Sequence, residues 1–140
     1  MYHTTQQTVE KCIPETIIAL EKEALNKWNN GDPSGYLALY DTDFTYFDPT
    51  LERRMDGYEA IEAYYNAMSG DVKVDKSGMV NPVVQATEQM AVLSFNLISE
   101  AGGQVWKWNC TEVYRKNPDN KWKIVHNHWS IYIPKVQEMV

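Results

Sequence analysis

The stretch Leu39-Tyr40-Asp41-Thr42-Asp43-Phe44-Thr45-Tyr46-Phe47-Asp48-Pro49 decides how this chain folds. It begins as the end of a helix and becomes a strand at Phe44, because Phe44, Thr45, Tyr46 and Phe47 are strand formers. Asp48-Pro49 stops the strand, since proline has no N–H to give a ladder. A carboxylate at a strand end, framed by Tyr40, Tyr46 and Phe47, sits where an apolar wall tunes protonation. Asp48 therefore has two readings, an Asx-type turn before Pro49 or a working acid–base group.

Toward the N-terminus, residues 1–12 are polar and expected to be loosely held. Pro14 suits the first turn of a helix, and Ile17, Leu20, Ala24, Leu25 and Trp28 repeat at helical spacing. Asn29-Asn30-Gly31 ends that helix. Asp32-Pro33 opens a short second one carrying Tyr36, Leu37 and Tyr40. Downstream, Thr50 to Arg54 reads as a loop with a short strand at Arg54-Met55. Asp56 and Glu59 form a capping-box pattern for a third helix with the stripe Ile61, Tyr64, Tyr65, Met68.

From Lys73 the period changes to two. A weak strand over Lys73 to Ala86 is interrupted by Asn81-Pro82. Strands follow over Met90 to Glu100, Gln104 to Arg115 and Lys121 to Ile133, with Ala101-Gly102-Gly103 and Asn117-Pro118-Asp119-Asn120 as turns. Three helices followed by hairpin strands predict an α+β fold, a mostly antiparallel sheet curled around the helices with a cavity on its concave side.

Alternation puts Trp106, Trp108, Cys110, Glu112 and Tyr114 on one face of the fifth strand. On the last strand it puts Val125, Asn127, Trp129 and Ile131 inward, with Trp122, Ile124, His126 and His128 outward. Glu112 among tryptophan and tyrosine must be paired, protonated or turned to solvent. His126 and His128 share a face, but a metal needs a third ligand and none is evident, so neither metal nor cofactor is expected.

With 13 basic against 19 acidic residues and no basic run beyond Arg53-Arg54, nucleic-acid binding is not expected. No apolar run reaches membrane-span length and the N-terminus has no secretory pattern, so the cytoplasm is the expected compartment.

Asn30-Gly31-Asp32, the Leu39 to Pro49 stretch, Asp56-Gly57 before Ala60-Ile61, and Trp122 to Ser130 occur in the order and spacing of a known superfamily. From Ile17 to Ile133 the chain resembles nuclear transport factor 2-like proteins, and among them SnoaL-like and ketosteroid isomerase-like domains. The resemblance implies one SnoaL-like domain over residues 1–140, a cone-shaped, cystatin-like α+β roll that is usually dimeric. Ketosteroid isomerases place a proton-shuttling Asp where Asp48-Pro49 stands, and an oxyanion-hole acid where Glu112-Val113 stands. Tyr40, Tyr65 and Trp129 fall on tyrosine and tryptophan positions around that site. The oxyanion-hole tyrosine of the first helix falls at about Ala24, so the main donor is missing.

The chain is also similar to the association domain of calcium/calmodulin-dependent kinase II, along Thr45 to Pro49, Asn81-Pro82, Ala101 to Gly103 and Trp122 to Ser130. That domain assembles subunits and lines its pocket with arginines, at positions that here hold Ser94, Glu112 and Trp129. No kinase domain precedes it, so a stand-alone domain is expected.

Together these imply an aromatic-walled pocket for a small apolar or carbonyl-containing ligand, lined by Tyr40, Tyr65, Ser94, Trp108, Asn127 and Trp129. If chemistry occurs there, the implied enzyme is a cofactor-independent isomerase or cyclase, with Asp48 as base and protonated Glu112 as donor. The alternative is a non-catalytic ligand-binding or oligomerisation domain. Either form is expected as a homodimer or an assembly of dimers, joined through the outer sheet face.

Overall fold

A computed structural model describes the backbone of residues 2–134 and the side chains of residues 12–134. Helix α1 spans Tyr2–Asn29 with Pro14 inside it, not at its start. Proline in a helix interior removes one backbone hydrogen bond and costs about 3 kcal/mol in isolation. Ile13 is buried just before Pro14 and Ile17 just after, so one apolar face runs through the proline and packing offsets that cost. Residues 1–12 are the segment expected to be loosely held; from Tyr2 their backbone is part of α1, and the side chains before Cys12 lie outside the described residues.

Gly31 ends α1 at φ +80°, and a Cβ there would lie 3.1 Å from the Val72 carbonyl oxygen. Helix α2 (Ser34–Leu39) follows, with Asp32 Oδ1 accepting the Ser34 N–H at 2.9 Å. Strand β1 (Tyr40–Phe47) starts at Tyr40, earlier than its composition suggests, and β2 (Met55–Asp56) pairs antiparallel to it. Helix α3 covers Tyr58–Ala67, but its N-cap is Gly57 at φ 91° and ψ 155°, with no side-chain cap. The expected capping box at Asp56 does not form, because Asp56 pairs with Arg54 Nε at 2.6 Å instead.

Strands β3 (Lys76–Ala86), β4 (Met90–Ala101), β5 (Gln104–Lys116) and β6 (Trp122–Ile131) complete a six-stranded sheet in the order β2-β1-β6-β5-β4-β3. Pairing is antiparallel except between β1 and β6, which run parallel. The β4–β5 turn uses Gly102 at φ 59° and Gly103 at φ 79°, the two positive values of a tight two-residue hairpin.

One register irregularity changes the reading of a face. Val113 pairs with His126 but Tyr114 pairs with Ile124, which leaves Val125 as the extra residue of a bulge. Asn127 points inward as alternation requires, while Ile124, expected on the outer face, is fully buried in the core. That core joins Ile17 of α1, Phe44 of β1 and Ile61 of α3 to Leu93, Tyr114 and Ile124 on the concave face. Among the described residues, no helix is long and apolar enough to cross a membrane.

Candidate functional site

The helices do not fill the cone. Between them and the concave face of β4–β6 lies a cavity of about 540 Å³. α1 contributes Leu25 and Trp28, α3 contributes Tyr64 and Tyr65 with Met68 just after it, and the sheet contributes Leu97, Ser99, Trp106, Trp108, Trp129 and Ile131. Alternation explains the sheet wall, since Leu97 and Ser99 on β4, like Trp106 and Trp108 on β5, are two residues apart. Trp108 and Trp129 meet edge to face at 6.1 Å and 88°, and Trp108 Nε1 donates to Ser99 Oγ at 3.1 Å. These contacts fix the orientation of both indoles in the wall.

Asp48 and Thr50, just beyond the end of β1, supply the polar end of the wall. Asp48 Oδ1 accepts from the Thr50 N–H at 2.8 Å and from its hydroxyl at 2.7 Å, so the Asx turn is present. Oδ2 accepts from Tyr46 Oη at 3.0 Å and from Tyr64 Oη at 2.7 Å. Thr50 Oγ1 and Tyr64 Oη also lie 2.9 Å apart. The triangle of the Asp48 carboxylate, Thr50 and Tyr64 has three oxygen contacts and only two hydroxyl protons to fill them. The cluster is one donor short. Burial and the Asp48 charge raise the Tyr46 and Tyr64 phenols above their usual range, so both keep their protons at neutral pH.

A second acidic cluster lies deeper. Glu21 of α1 is fully buried and accepts from Tyr36 Oη at 2.5 Å and from Tyr114 Oη at 2.7 Å. Glu112 of β5 is also fully buried. Its Oε1 accepts from Asn127 Nδ2, while its Oε2 has no hydrogen-bond partner. Burial first and the Glu21 charge second push the Glu112 carboxyl well above the usual range. One proton between two adjacent buried acids relieves both the desolvation and the repulsion. Tyr36 also lines the cavity, so it connects this pair to the wall.

The expected site residues separate into three groups. Asp48, Tyr65, Trp108 and Trp129 meet in the cavity wall. Tyr40, Glu112 and Asn127 face inward but lie behind that wall, with Tyr40 Oη sharing a proton with Tyr65 Oη at 2.9 Å. Ser94 belongs on the other side of the sheet. It pairs with Thr111 and is exposed, because the inward set of β4 is Leu93, Phe95, Leu97 and Ser99. The serine of the cavity is Ser99.

Glu21, Tyr36 and Tyr64 were not singled out from sequence as site residues. Glu21 was within reach, since Ile17, Glu21, Ala24 and Trp28 fall at helical spacing and place a carboxylate in the middle of an apolar stripe. His126 and His128 sit on the outer face with rings 6.4 Å apart, and His126 Nδ1 pairs with Thr45 Oγ1 at 2.8 Å. Among the described residues, no group of three His, Cys, Asp or Glu side chains could hold a metal ion.

The family model for the calcium/calmodulin dependent protein kinase II association domain matches residues 14–132. Among solved structures, a protein from Parabacteroides distasonis ATCC 8503, described as a candidate ketosteroid isomerase, is 51% identical. That match covers 87% of this chain and 89% of that one at a TM-score of 0.79. The association domain of the C. elegans kinase is 25% identical over 86% of this chain and 97% of its own, at a TM-score of 0.72. A nuclear transport factor 2-like protein of unknown function from Pseudomonas putida KT2440 shares the fold at 21% identity, with 86% and 87% covered and a TM-score of 0.77. No curated protein matches this chain. The architecture is therefore the cone of nuclear transport factor 2-like proteins, built from helices and a curved mixed sheet.

Proposed function

The chain belongs to the calcium/calmodulin dependent protein kinase II association domain family, and from that premise we propose that it binds a small, ring-bearing apolar molecule in the aromatic-walled cavity. The observation that carries this reading is the cavity itself. Its volume of about 540 Å³ lies within the ordinary range of ligand sites, and four tryptophans and four tyrosines stand among its lining residues. Asp48 is the sole carboxylate among the described lining residues and marks the polar end.

Catalysis by Asp48 is a narrower form of the same reading, and the description of the P. distasonis relative favours it. Proton abstraction next to a carbonyl needs a base and also a donor for the enolate oxygen. The hydrogen bonds weigh against the second requirement. Tyr36, Tyr46, Tyr64 and Thr50 turn their hydroxyl protons to carboxylates, and Glu112 lies behind the wall. Ligand binding without turnover accounts for more of the geometry.

Self-association through the outer sheet face is a second reading. Family membership supports it, and so do Val83, Ile98 and Val105, exposed on that face.

The test of the pocket is calorimetric titration with 2-naphthylmethanol, a neutral ring-bearing probe. A saturable isotherm is expected for the wild type, weakened at least about tenfold by Trp108→Ala or Trp129→Ala, since each indole supplies stacking area. Equal affinity in both variants would place binding elsewhere.

A further inference from the structure

We propose that this pocket selects a protonated amine, an organic cation with an apolar ring body and at least one ammonium N–H. This rests on the pocket reading above and narrows it to a ligand class. Three features of the wall point the same way.

The first is the direction of the hydroxyl protons. Tyr36 donates to Glu21, while Tyr46, Tyr64 and Thr50 converge on Asp48. A hydroxyl whose proton is engaged offers a ligand only its lone pairs. The polar groups at these positions therefore accept, and they match a ligand that donates.

The second is the unfilled place in the Asp48 cluster. Three mutual contacts among Asp48, Thr50 and Tyr64 share two hydroxyl protons. An ammonium N–H directed at Thr50 Oγ1 and Tyr64 Oη, whose own protons go to Asp48, supplies the missing donor beside the carboxylate as a charge-assisted hydrogen bond, stronger than one from a neutral hydroxyl. A ligand carboxylate would bring more acceptors to a place that already lacks a donor.

The third is the field of the walls. Aromatic faces are negative, and an amine among Trp28, Trp108, Trp129 and Tyr64 gains cation–π attraction at several of them. Asp48 adds a full charge, and the Glu21–Glu112 pair behind Tyr36 adds to the same sign. Lys73 opposes it as the one cation among the described lining residues. It is exposed to solvent, where screening shortens its reach.

Three probes that differ only in charge decide the matter: 2-naphthylmethylamine, 2-naphthylmethanol and 2-naphthoate, titrated calorimetrically at pH 7. The amine is expected to bind roughly ten- to a hundredfold more tightly than the alcohol, with the acid weakest. Asp48→Asn should bring the amine close to the alcohol while changing the alcohol less than about threefold, since the side-chain volume is kept. Tyr64→Phe leaves the Asp48 charge in place but removes the contact that lacks a proton, so it should narrow the lead of the amine over the alcohol, and this second variant keeps the comparison if Asp48→Asn folds poorly. An alcohol or acid that binds as tightly as the amine would overturn the proposal and leave the pocket standing. An amine preference that persists in Asp48→Asn would overturn it as well. Binding by none of the three would sink the pocket reading and this proposal together.

Discussion

Glu112 serves the fold best as an uncharged acid. Its carboxyl is raised by burial and by Glu21, while in the unfolded chain it returns to about 4.5. Below that value both states hold the proton and its contribution is fully present. As pH rises above it, the unfolded chain releases a proton that the native state keeps. Stability then falls, by at most about 1.4 kcal/mol per pH unit, until the native carboxyl ionises. Glutamine mimics the protonated acid, so Glu112→Gln should flatten this slope. Urea unfolding of both proteins between pH 5 and pH 8 checks it, and parallel curves would mean that Glu112 is charged in the native state. At this scale the sequence was informative wherever a polar residue interrupted an apolar pattern that had been recognised. Asp48 stood out as a carboxylate at a strand end before Pro49, and Glu112 because strand alternation placed it among aromatic residues. Glu21 did not, because the α1 stripe was read through its apolar members alone. Ser94 was carried over from a resemblance although β4 alternation, with Leu93, Phe95 and Leu97 inward, puts it outside.

Helix α3 shows how an element can be foreseen for the wrong reason. Asp56 and Glu59 have capping-box spacing and the helix is there, yet the first turn is entered through Gly57. Its φ of 91° and ψ of 155° lie in a region open almost only to glycine, and another residue there costs of order 1–3 kcal/mol. Gly57→Ala should therefore destabilise by about that amount. Asp56→Ala should cost much less than Gly57→Ala, because its ion pair with Arg54 is exposed on both sides. Denaturant midpoints for the two variants give the order, and a larger loss for Asp56→Ala would restore the capping box. The β6 bulge has the same character. Alternation foresaw Asn127 and Trp129 inward, and failed only above Val125, where one extra residue reverses the parity and sends Ile124 into the core. No residue type in Lys123-Ile124-Val125-His126 announces a bulge.

At the level of the whole molecule, the α+β class and the cavity followed from three amphipathic helices set before consecutive hairpin strands. The parallel pairing of β1 with β6 did not, since it joins Thr45 to His126 across most of the chain, where no turn sets the register. That pairing places Asp48 at the mouth of a cone whose other walls come from strands far along the sequence. The outer face of the same sheet is mixed, with a hydrogen-bonded row of Asn96, Asn109 and Ser130 beside exposed Ile98 and Val105. Joining two such faces would cover both kinds of group, and light scattering is expected to report a dimer or a multiple of it. A monomer at every working concentration would rule that reading out.

The cavity makes the most direct demand on the tryptophans. Trp28, Trp106, Trp108 and Trp129 line it, whereas Trp122 does not and instead carries Lys116 Nζ over its ring at 5.2 Å. Each indole N–H gives its own signal in a proton–nitrogen correlation spectrum of the labelled protein. On titration with 2-naphthylmethylamine, the signals of the four lining tryptophans should move together and saturate, and that of Trp122 should stay in place. Movement of Trp122 alone, or of none of the five, would contradict the pocket.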